Sequence, residues 1–312
     1  MIVLDSYKNK RVGVIGLGKT GKSILNSLIA GGAKAFSYDD SAIADETCLS
    51  LENFCNEKFD AIVVSPGINL LWPNVHPAVK AARQKLVPIL NDVDLFQRHV
   101  ADKINICISG TNGKSTTTAL IHHLFQFAGK KSAVGGNFGN SILSLNANAD
   151  FFILELSSYQ LESCNILGFD TAILLNITSD HLTRHGGMEG YIASKQKIFA
   201  NFHKKSTAIV GIDNIHCRKI FEFLKKINHP CAIPISGKEV PEFGVGWKEN
   251  KLVDCLSGAQ EIVCEKSPFL DGDHNRQNIA ASYAACIQNG LDKKSFRRGL
   301  FSFKGLEHRQ EF

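Results

Sequence analysis

The sequence predicts an α/β protein built on parallel sheets, and three observations carry that expectation. Short apolar runs rich in Val and Ile alternate along the chain with stretches of helical periodicity, the pattern of sheets covered on both faces by helices. Two junctions, Gly16-Leu17-Gly18-Lys19-Thr20-Gly21 and Gly110-Thr111-Asn112-Gly113-Lys114-Ser115, place a glycine-punctuated loop between a strand and a helix. The 312 residues are enough for two such domains and a short third.

In order, Arg11–Ile15 reads as a buried strand, and the first glycine loop turns from it into a helix over 22–30 that Gly31-Gly32 stops. Residues 35–38 form a second strand ending in Asp39-Asp40, and 61–64 a third ending in Ser65-Pro66-Gly67. A helix over 75–85 and a short strand over 87–90 complete a domain spanning 1–98. A second domain, 99–303, carries strands at 104–109, 131–134, 151–156, 171–175, 208–211 and 231–235. Its helices fall at 115–128, 188–202, 215–226 and 276–289, and the weaker alternation over 242–266 fits small antiparallel strands. Residues 304–312 read as a hinge and the first residues of a further strand.

Composition narrows the function classes. The net charge is +5 without a long Lys/Arg block, which argues against nucleic acid as a partner. No run approaches the roughly 18–20 apolar residues of a membrane span, and the N-terminus lacks a basic-then-apolar signal. The nine cysteines form no Cys-x-x-Cys pair. That usage fits reduced thiols in a cytoplasmic protein and leaves no zinc-finger spacing.

The second loop is the most specific signal. Backbone N–H groups of a glycine loop, the positive end of a helix and the Lys114 ammonium make a phosphate cradle. A hydroxyl at Ser115 can reach a phosphate-bound Mg²⁺. Ile108 stands where a full Walker A motif has its first glycine, so the loop is a P-loop variant. The first loop fits G-x-G-x-x-G, and Asp39 follows at the end of the next strand. By itself this Rossmann-like junction points to a nicotinamide or flavin cofactor, or to a tight turn without a ligand.

Three further strand ends hold polar residues. Glu155 closes the apolar strand 151–154 and reads either as a Mg²⁺ ligand or as a helix-capping carboxylate. Asn176 to His181 follows the next strand, where His181 reads as a metal or substrate contact or as a surface residue. Asn275 and Asn278, three apart on one helix face, could read a base edge, or Asp273 or Asn275 could simply cap that helix. By pattern alone Lys195 is an ordinary helix lysine.

These motifs, in this order, resemble the Mur ligases, the ATP-dependent amino-acid ligases of peptidoglycan synthesis. The resemblance also rests on Gly135-Gly136-Asn137-Phe138-Gly139, on Leu154 to Glu162, on Asp273 to Asn278, and on Gly305-Leu306 with His308-Arg309. Among the branches of the family it is nearest to the one that joins D-glutamate to UDP-N-acetylmuramoyl-L-alanine. The implied fold is a Rossmann-like parallel-sheet domain followed by a P-loop mononucleotide-binding α/β domain.

The resemblance implies that the first loop holds the UDP of the substrate rather than NAD, with Lys19, Thr20, Asp39 and Gly67 lining that pocket. It places ATP on Gly110, Thr111, Asn112, Gly113, Lys114, Ser115 and Thr116. Asn275 and Asn278 would meet adenine, and Arg309 would approach the phosphates. Two Mg²⁺ ions would be held through Ser115, Glu155, His181 and Lys195, the last carbamylated by CO₂. Asn137, Ser157 and His181 would contact the muramoyl part, and Lys114, Lys195 and His181 would carry the catalysis. A cytoplasmic monomer with no membrane or nucleic-acid partner is expected.

The chain ends at Phe312, where members of the family continue into a domain that binds the incoming amino acid. Weak or absent ligation by this chain alone is therefore expected. Two rival readings are a non-enzymatic binder of UDP-sugar and ATP, and a Rossmann oxidoreductase, which leaves the second loop unexplained.

Overall fold

The computed structural model describes the chain except for residues 43–46, 71–73, 101, 167, 204, 228–230, 266–269, 271 and 307–312. The described residues fall into two compact units. The first comprises Met1–Asp102, Gly139–Ala147 and Tyr159–Leu167, and the second Lys103–Phe138, Asn148–Ser158 and the described residues from Gly168 onward.

In the first unit the elements run β1 (Arg11–Ile15), α1 (Lys19–Ala30), β2 (Lys34–Tyr38), α2 (Leu51–Asn56), β3 (Ala61–Val64), α3 (Pro77–Gln84), β4 (Ile89–Leu90) and α4 (Asp92–His99). The four strands pair in parallel in the order β2-β1-β3-β4. Strands β1 and β3 are nearly continuous Val/Ile runs because both faces of the sheet are covered, and all four residues of β3 are buried. The chain turns back at β1, which lies between β2 and β3, so the loop after β1 opens at a topological switch point. There Gly21 is required by packing: a Cβ on it would sit 1.7 Å from the Gly16 carbonyl oxygen.

Helix α1 begins three residues earlier than the sequence pattern predicts, because the loop itself supplies its first turn. Helix α4 has no apolar periodicity to announce it. Its ends are set by a capping box, in which the Asn91 side chain accepts from the Asp94 N–H and the Asp94 carboxylate from the Asn91 N–H. The Asp94 carboxylate also accepts the N–H groups of Asn165 and Ile166 at 2.8 and 2.7 Å, so a buried acid ties a separate segment of the chain into this unit. Burial holds the Asp92 carboxyl up at about 6.

The second unit continues with β5 (Ile104–Ser109), α5 (Lys114–Phe127), β6 (Ser132–Gly136), β7 (Phe151–Glu155) and α6 (Ser158–Ser163), which begins there. After these come β8 (Thr171–Leu174), α7 (Leu182–His185), α8 (Met188–Gln196), β9 (Thr207–Gly211), α9 (Ile215–Lys226) and β10 (Ala232–Ile235). The unit ends with β11 (Val245–Lys248), β12 (Lys251–Asp254), β13 (Glu261–Glu265), α10 (Asp273–Gln288) and α11 (Lys293–Ser302). Nine strands form one sheet in the order β13-β12-β11-β10-β9-β8-β5-β7-β6. It is parallel from β6 to β11 and ends in the antiparallel pairs β11–β12 and β12–β13. The antiparallel strands expected over 242–266 are therefore present as an extension of the parallel sheet.

Again the chain reverses direction at the central strand, β5, flanked by β7 and β8. Helix α10 explains the depth of the core. Its Ala280, Ala281, Ala284 and Ala285 are fully buried, and their small side chains let it pack closely on α5 and β11. Its N-cap is Gly272, not Asp273 or Asn275. The helix expected over 188–202 stops at Gln196, where a single 3₁₀ turn, Lys197–Phe199, ends it. All nine cysteines stand outside any disulfide, and seven of them are buried.

Candidate functional site

The second loop takes its shape from its own backbone and from the segment after β8. Asn176 clips it: the Asn176 carboxamide oxygen accepts the Asn112 N–H at 2.8 Å, and its amide donates to the Asn112 carbonyl at 3.1 Å. The Thr111 N–H donates to the Asn176 carbonyl, and the Thr111 hydroxyl to the Thr178 carbonyl. Gly113 has φ +84°, and a Cβ there would lie 2.2 Å from the Asn278 Oδ1. Both the backbone conformation and the neighbour therefore exclude a side chain. From Gly113 the chain enters α5, so Lys114, Ser115 and Thr116 form the first turn at the positive end of a helix of 14 residues.

Two lysines converge on one peptide carbonyl. Lys114 Nζ donates to the Gly110 and Thr111 carbonyls at 2.9 and 2.7 Å. Lys195 Nζ, from α8, donates to the same Gly110 carbonyl at 2.8 Å. Lys195 is 2% exposed and lies 4.8 Å from the centre of the Tyr191 ring. Burial, reinforced by the Lys114 charge, pulls the Lys195 amine down to about 7. A helix lysine by pattern is thus a buried amine held well below its ordinary range.

Glu155, at the end of β7, is buried with both oxygens engaged by neutral donors. The Ser115 hydroxyl donates to Oε2 at 2.7 Å and the Asn137 amide to Oε1 at 3.0 Å. The structure therefore unites Ser115, Glu155 and Asn137 in one hydrogen-bonded set directly behind the loop. A hydroxyl and a carboxylate side by side are hard oxygen donors of the kind Mg²⁺ takes together with waters and phosphate oxygens. Ser157 follows as a half-buried residue just beyond the strand. Among the described residues no three of His, Cys, Asp and Glu come together as a metal-binding group. His181 is exposed, has φ +51°, and sits with Nε2 3.4 Å from Asp180. The Asn278 amide donates to Asn275 at 3.2 Å, and both are buried, with Asn278 against Gly113. Arg309 lies outside the described residues.

The first loop is organised differently. The Asp39 Oδ2 accepts the Leu17 N–H at 2.6 Å, and its Oδ1 accepts from both the N–H and the hydroxyl of Ser41. These bonds, the Leu17 N–H foremost, hold the Asp39 carboxyl below its usual range. Ser65 donates to the Gly16 carbonyl at 2.8 Å, closing the floor of the loop. Lys19 Nζ donates to the Gly139 carbonyl. Thr20 is half-buried in the first turn of α1, and Gly67 is exposed after β3.

Two residues with a part in the second site carry no role in the sequence reading. Tyr191 lies one helical turn before Lys195 on the same face of α8, and its hydroxyl meets the Thr111 hydroxyl at 3.2 Å. The i, i+4 spacing was available as a signal. Asn176 stands in a quoted strand-end motif, but a side-chain amide that clips a loop backbone leaves no sequence signature of its own.

Residues 108–286 match the Mur ligase middle domain. The whole chain is 40% identical to a UDP-N-acetylmuramoylalanine–D-glutamate ligase of Caulobacter vibrioides (strain NA1000 / CB15N), covering 100% of this chain and 70% of that protein. The enzyme of the same name from Rhodospirillum rubrum is 39% identical over 100% of this chain and 69% of its own length. Among solved structures, the UDP-N-acetylmuramate:L-alanyl-gamma-D-glutamyl-meso-diaminopimelate ligase from Neisseria meningitides superposes with a TM-score of 0.66 at 18% identity, covering 96% of this chain and 100% of that one. That likeness shows a shared fold.

Proposed function

The chain belongs to the Mur ligase family, and from that premise we propose that it serves the ATP-dependent joining of D-glutamate to UDP-N-acetylmuramoyl-L-alanine. The observation that carries the chemical part is the convergence of Lys114, Lys195, Ser115 and Glu155 around one P-loop-type turn. The choice of D-glutamate rests on the 40% identity to enzymes of that name.

In this reading the triphosphate lies on Gly110–Thr116, with Lys114 turned from the loop carbonyls onto the phosphates. The carboxylate of the muramoyl-alanine attacks the γ-phosphorus, ADP leaves, and an acyl phosphate forms. The amine of D-glutamate then attacks the acyl carbon, phosphate leaves, and the amine gives up a proton as the amide forms. Lys114 offsets the charge that spreads over the phosphoryl oxygens as they transfer. Ser115 and Glu155 fit one Mg²⁺, and the metal supplies positive charge that eases the approach of two anions. His181 would add to a second ion.

Lys195 is suited to carbamylation because its neutral amine can add to CO₂, losing one proton and becoming an anion next to Lys114. Asn275 and Asn278 present amides beside Gly113, where an adenine ring would be read. In the first unit, Lys19, Thr20, Asp39 and Gly67 would receive the uridine diphosphate. Asn137 and Ser157 would meet the sugar. The domain division at 98 and 303 is part of the same reading.

The experiment separates the half-reactions. The chain is incubated with UDP-N-acetylmuramoyl-L-alanine, ATP and Mg²⁺ in hydroxylamine, and the hydroxamate is measured by mass spectrometry. D-glutamate is then supplied in place of hydroxylamine and the amide product measured. Hydroxamate that depends on Lys114 supports the site, and an amide product formed with D-glutamate but not L-glutamate supports the substrate. Absence of ATP-dependent hydroxamate together with absence of saturable, Lys114-dependent ATP binding by calorimetry would sink the proposal.

A further inference from the structure

We propose that α11 and the end of α5 form a docking surface for an anionic lipid bilayer. Helix α11 is two-faced. Phe296, Gly299 and Leu300 are buried, and Gly299 lies so close to α5 that a Cβ on it would stand 2.8 Å from Leu124. The opposite stripe, Lys294, Arg297, Arg298 and Phe301, recurs at helical spacing and is exposed along its length. The contact with α5 brings a second exposed aromatic to that stripe: Arg298 lies 5.8 Å from the centre of the Phe127 ring. Lys130, also exposed, follows three residues on.

The stripe itself carries no acid, and the exposed Asp292 that caps the helix lies just before it. Among the described residues none of Lys130, Lys294, Arg297 and Arg298 has an acidic partner, whereas the neighbouring Lys293 is paired with Glu261 and Asp254. Four unpaired cations flanking two exposed phenylalanines, 41% and 40% exposed, match a surface of lipid phosphates over an apolar layer. The cations draw the face to the headgroups and the rings enter between them. An acidic protein is the competing occupant of this face, and the polyglutamate arm of the test separates it from a bilayer. No helix among the described residues is long and apolar enough to cross a membrane, so the association is peripheral and reversible by salt.

The test is co-sedimentation of the 312-residue chain with phosphatidylglycerol–phosphatidylcholine vesicles and with pure phosphatidylcholine vesicles. Binding to the anionic vesicles at low salt is expected to exceed binding to the neutral ones by about tenfold or more, and to vanish near ~0.5 M salt. Arg297→Glu with Arg298→Glu should remove it. Arg297→Gln with Arg298→Gln, a milder change that keeps the fold, should weaken it several-fold. Phe301→Ser should lower it without altering its salt dependence. The control reverses two exposed lysines of α9, Lys219→Glu with Lys226→Glu, and should retain most of the binding. The proposal is overturned if the control pair costs as much as the α11 pair, if anionic vesicles bind no better than neutral ones, or if a polyglutamate matrix retains the chain more strongly than the vesicles do.

Discussion

The two glycine loops occupy the same position in their sheets and are stabilised in opposite ways. The loop after β1 is closed by an acid: Asp39 takes the Leu17 N–H and neutralises the positive end of the turn from within. The loop after β5 gathers bases, with Lys114 and Lys195 both donating to the Gly110 carbonyl. A strand, a glycine turn and a helix thus provide only a place for an anion. What can be done with the anion depends on the side chains brought to the turn from elsewhere in the unit. In the second unit those include a buried carboxylate, Glu155, and an amine pulled down to about 7.

The buried amine gives a test of stability. The folded-state value of Lys195, about 7, lies below its ordinary 10.5. Above about 7 the unfolded chain therefore binds the extra proton, and stability rises with pH. The window closes near 9, where the Cys217 thiol, pushed up to about 12, adds the opposite slope. Urea unfolding at steps from pH 7 to 8.5 should show the rise, by a few kcal/mol at most, and Lys195→Met should flatten it. Equal slopes in both proteins would remove the contrast between the loops.

The next effect concerns the turns themselves. Gly113→Val meets both a positive φ and Asn278, and should cost about 3 kcal/mol, seen as a roughly hundredfold loss of ATP affinity by calorimetry. Gly18→Ala, whose Cβ would meet nothing within 4 Å, should leave ATP affinity and melting temperature unchanged. If Gly18→Ala proved as damaging, Gly18 would carry the same demand that Gly21 carries in that loop.

Smaller again is the acid of the first loop. Asp39→Asn should destabilise by about 1 kcal/mol, since the carboxylate is partly exposed and its bonds are shared with solvent. Its depressed folded-state value fixes the sign. The contribution is complete above the unfolded value near ~4 and is lost as pH falls toward the folded one. A melting curve of the variant against the parent from pH 3 to pH 6, about the carboxylate range, reads this directly. The smallest change is Asn176→Ala, expected to cost about 1 kcal/mol or less. It should lower ATP affinity a few-fold through loosening of the Asn112 clip.

Much of the architecture was legible because short apolar runs such as Ile104–Ser109 and Phe151–Glu155, too short for helices and bounded by turn residues, fit strands buried on both faces. Helix α4 was not, since Asp92, Asp94 and Gln97 are polar residues that the fold buries. Periodicity assigns such residues to the surface, and only the capping box Asn91–Asp94 hints otherwise. The phosphate turn was legible from its glycines and Lys114-Ser115. The state of Lys195 was not, because the amine is depressed by burial among segments distant in sequence and by the Lys114 charge, which together outweigh the opposite pull of Asp180, Cys217 and Glu155.

The seven buried thiols are spread through both units, with Cys48 and Cys164 in the first and Cys107, Cys217, Cys255, Cys264 and Cys286 in the second. Because none is tied in a disulfide, each can be alkylated only when its surroundings open. The molecule therefore carries its own set of clocks, and timed labelling read by mass spectrometry would rank local openings without introducing a probe. Cys217, which shares the surroundings of Lys195, would report whether nucleotide slows the opening of the candidate site.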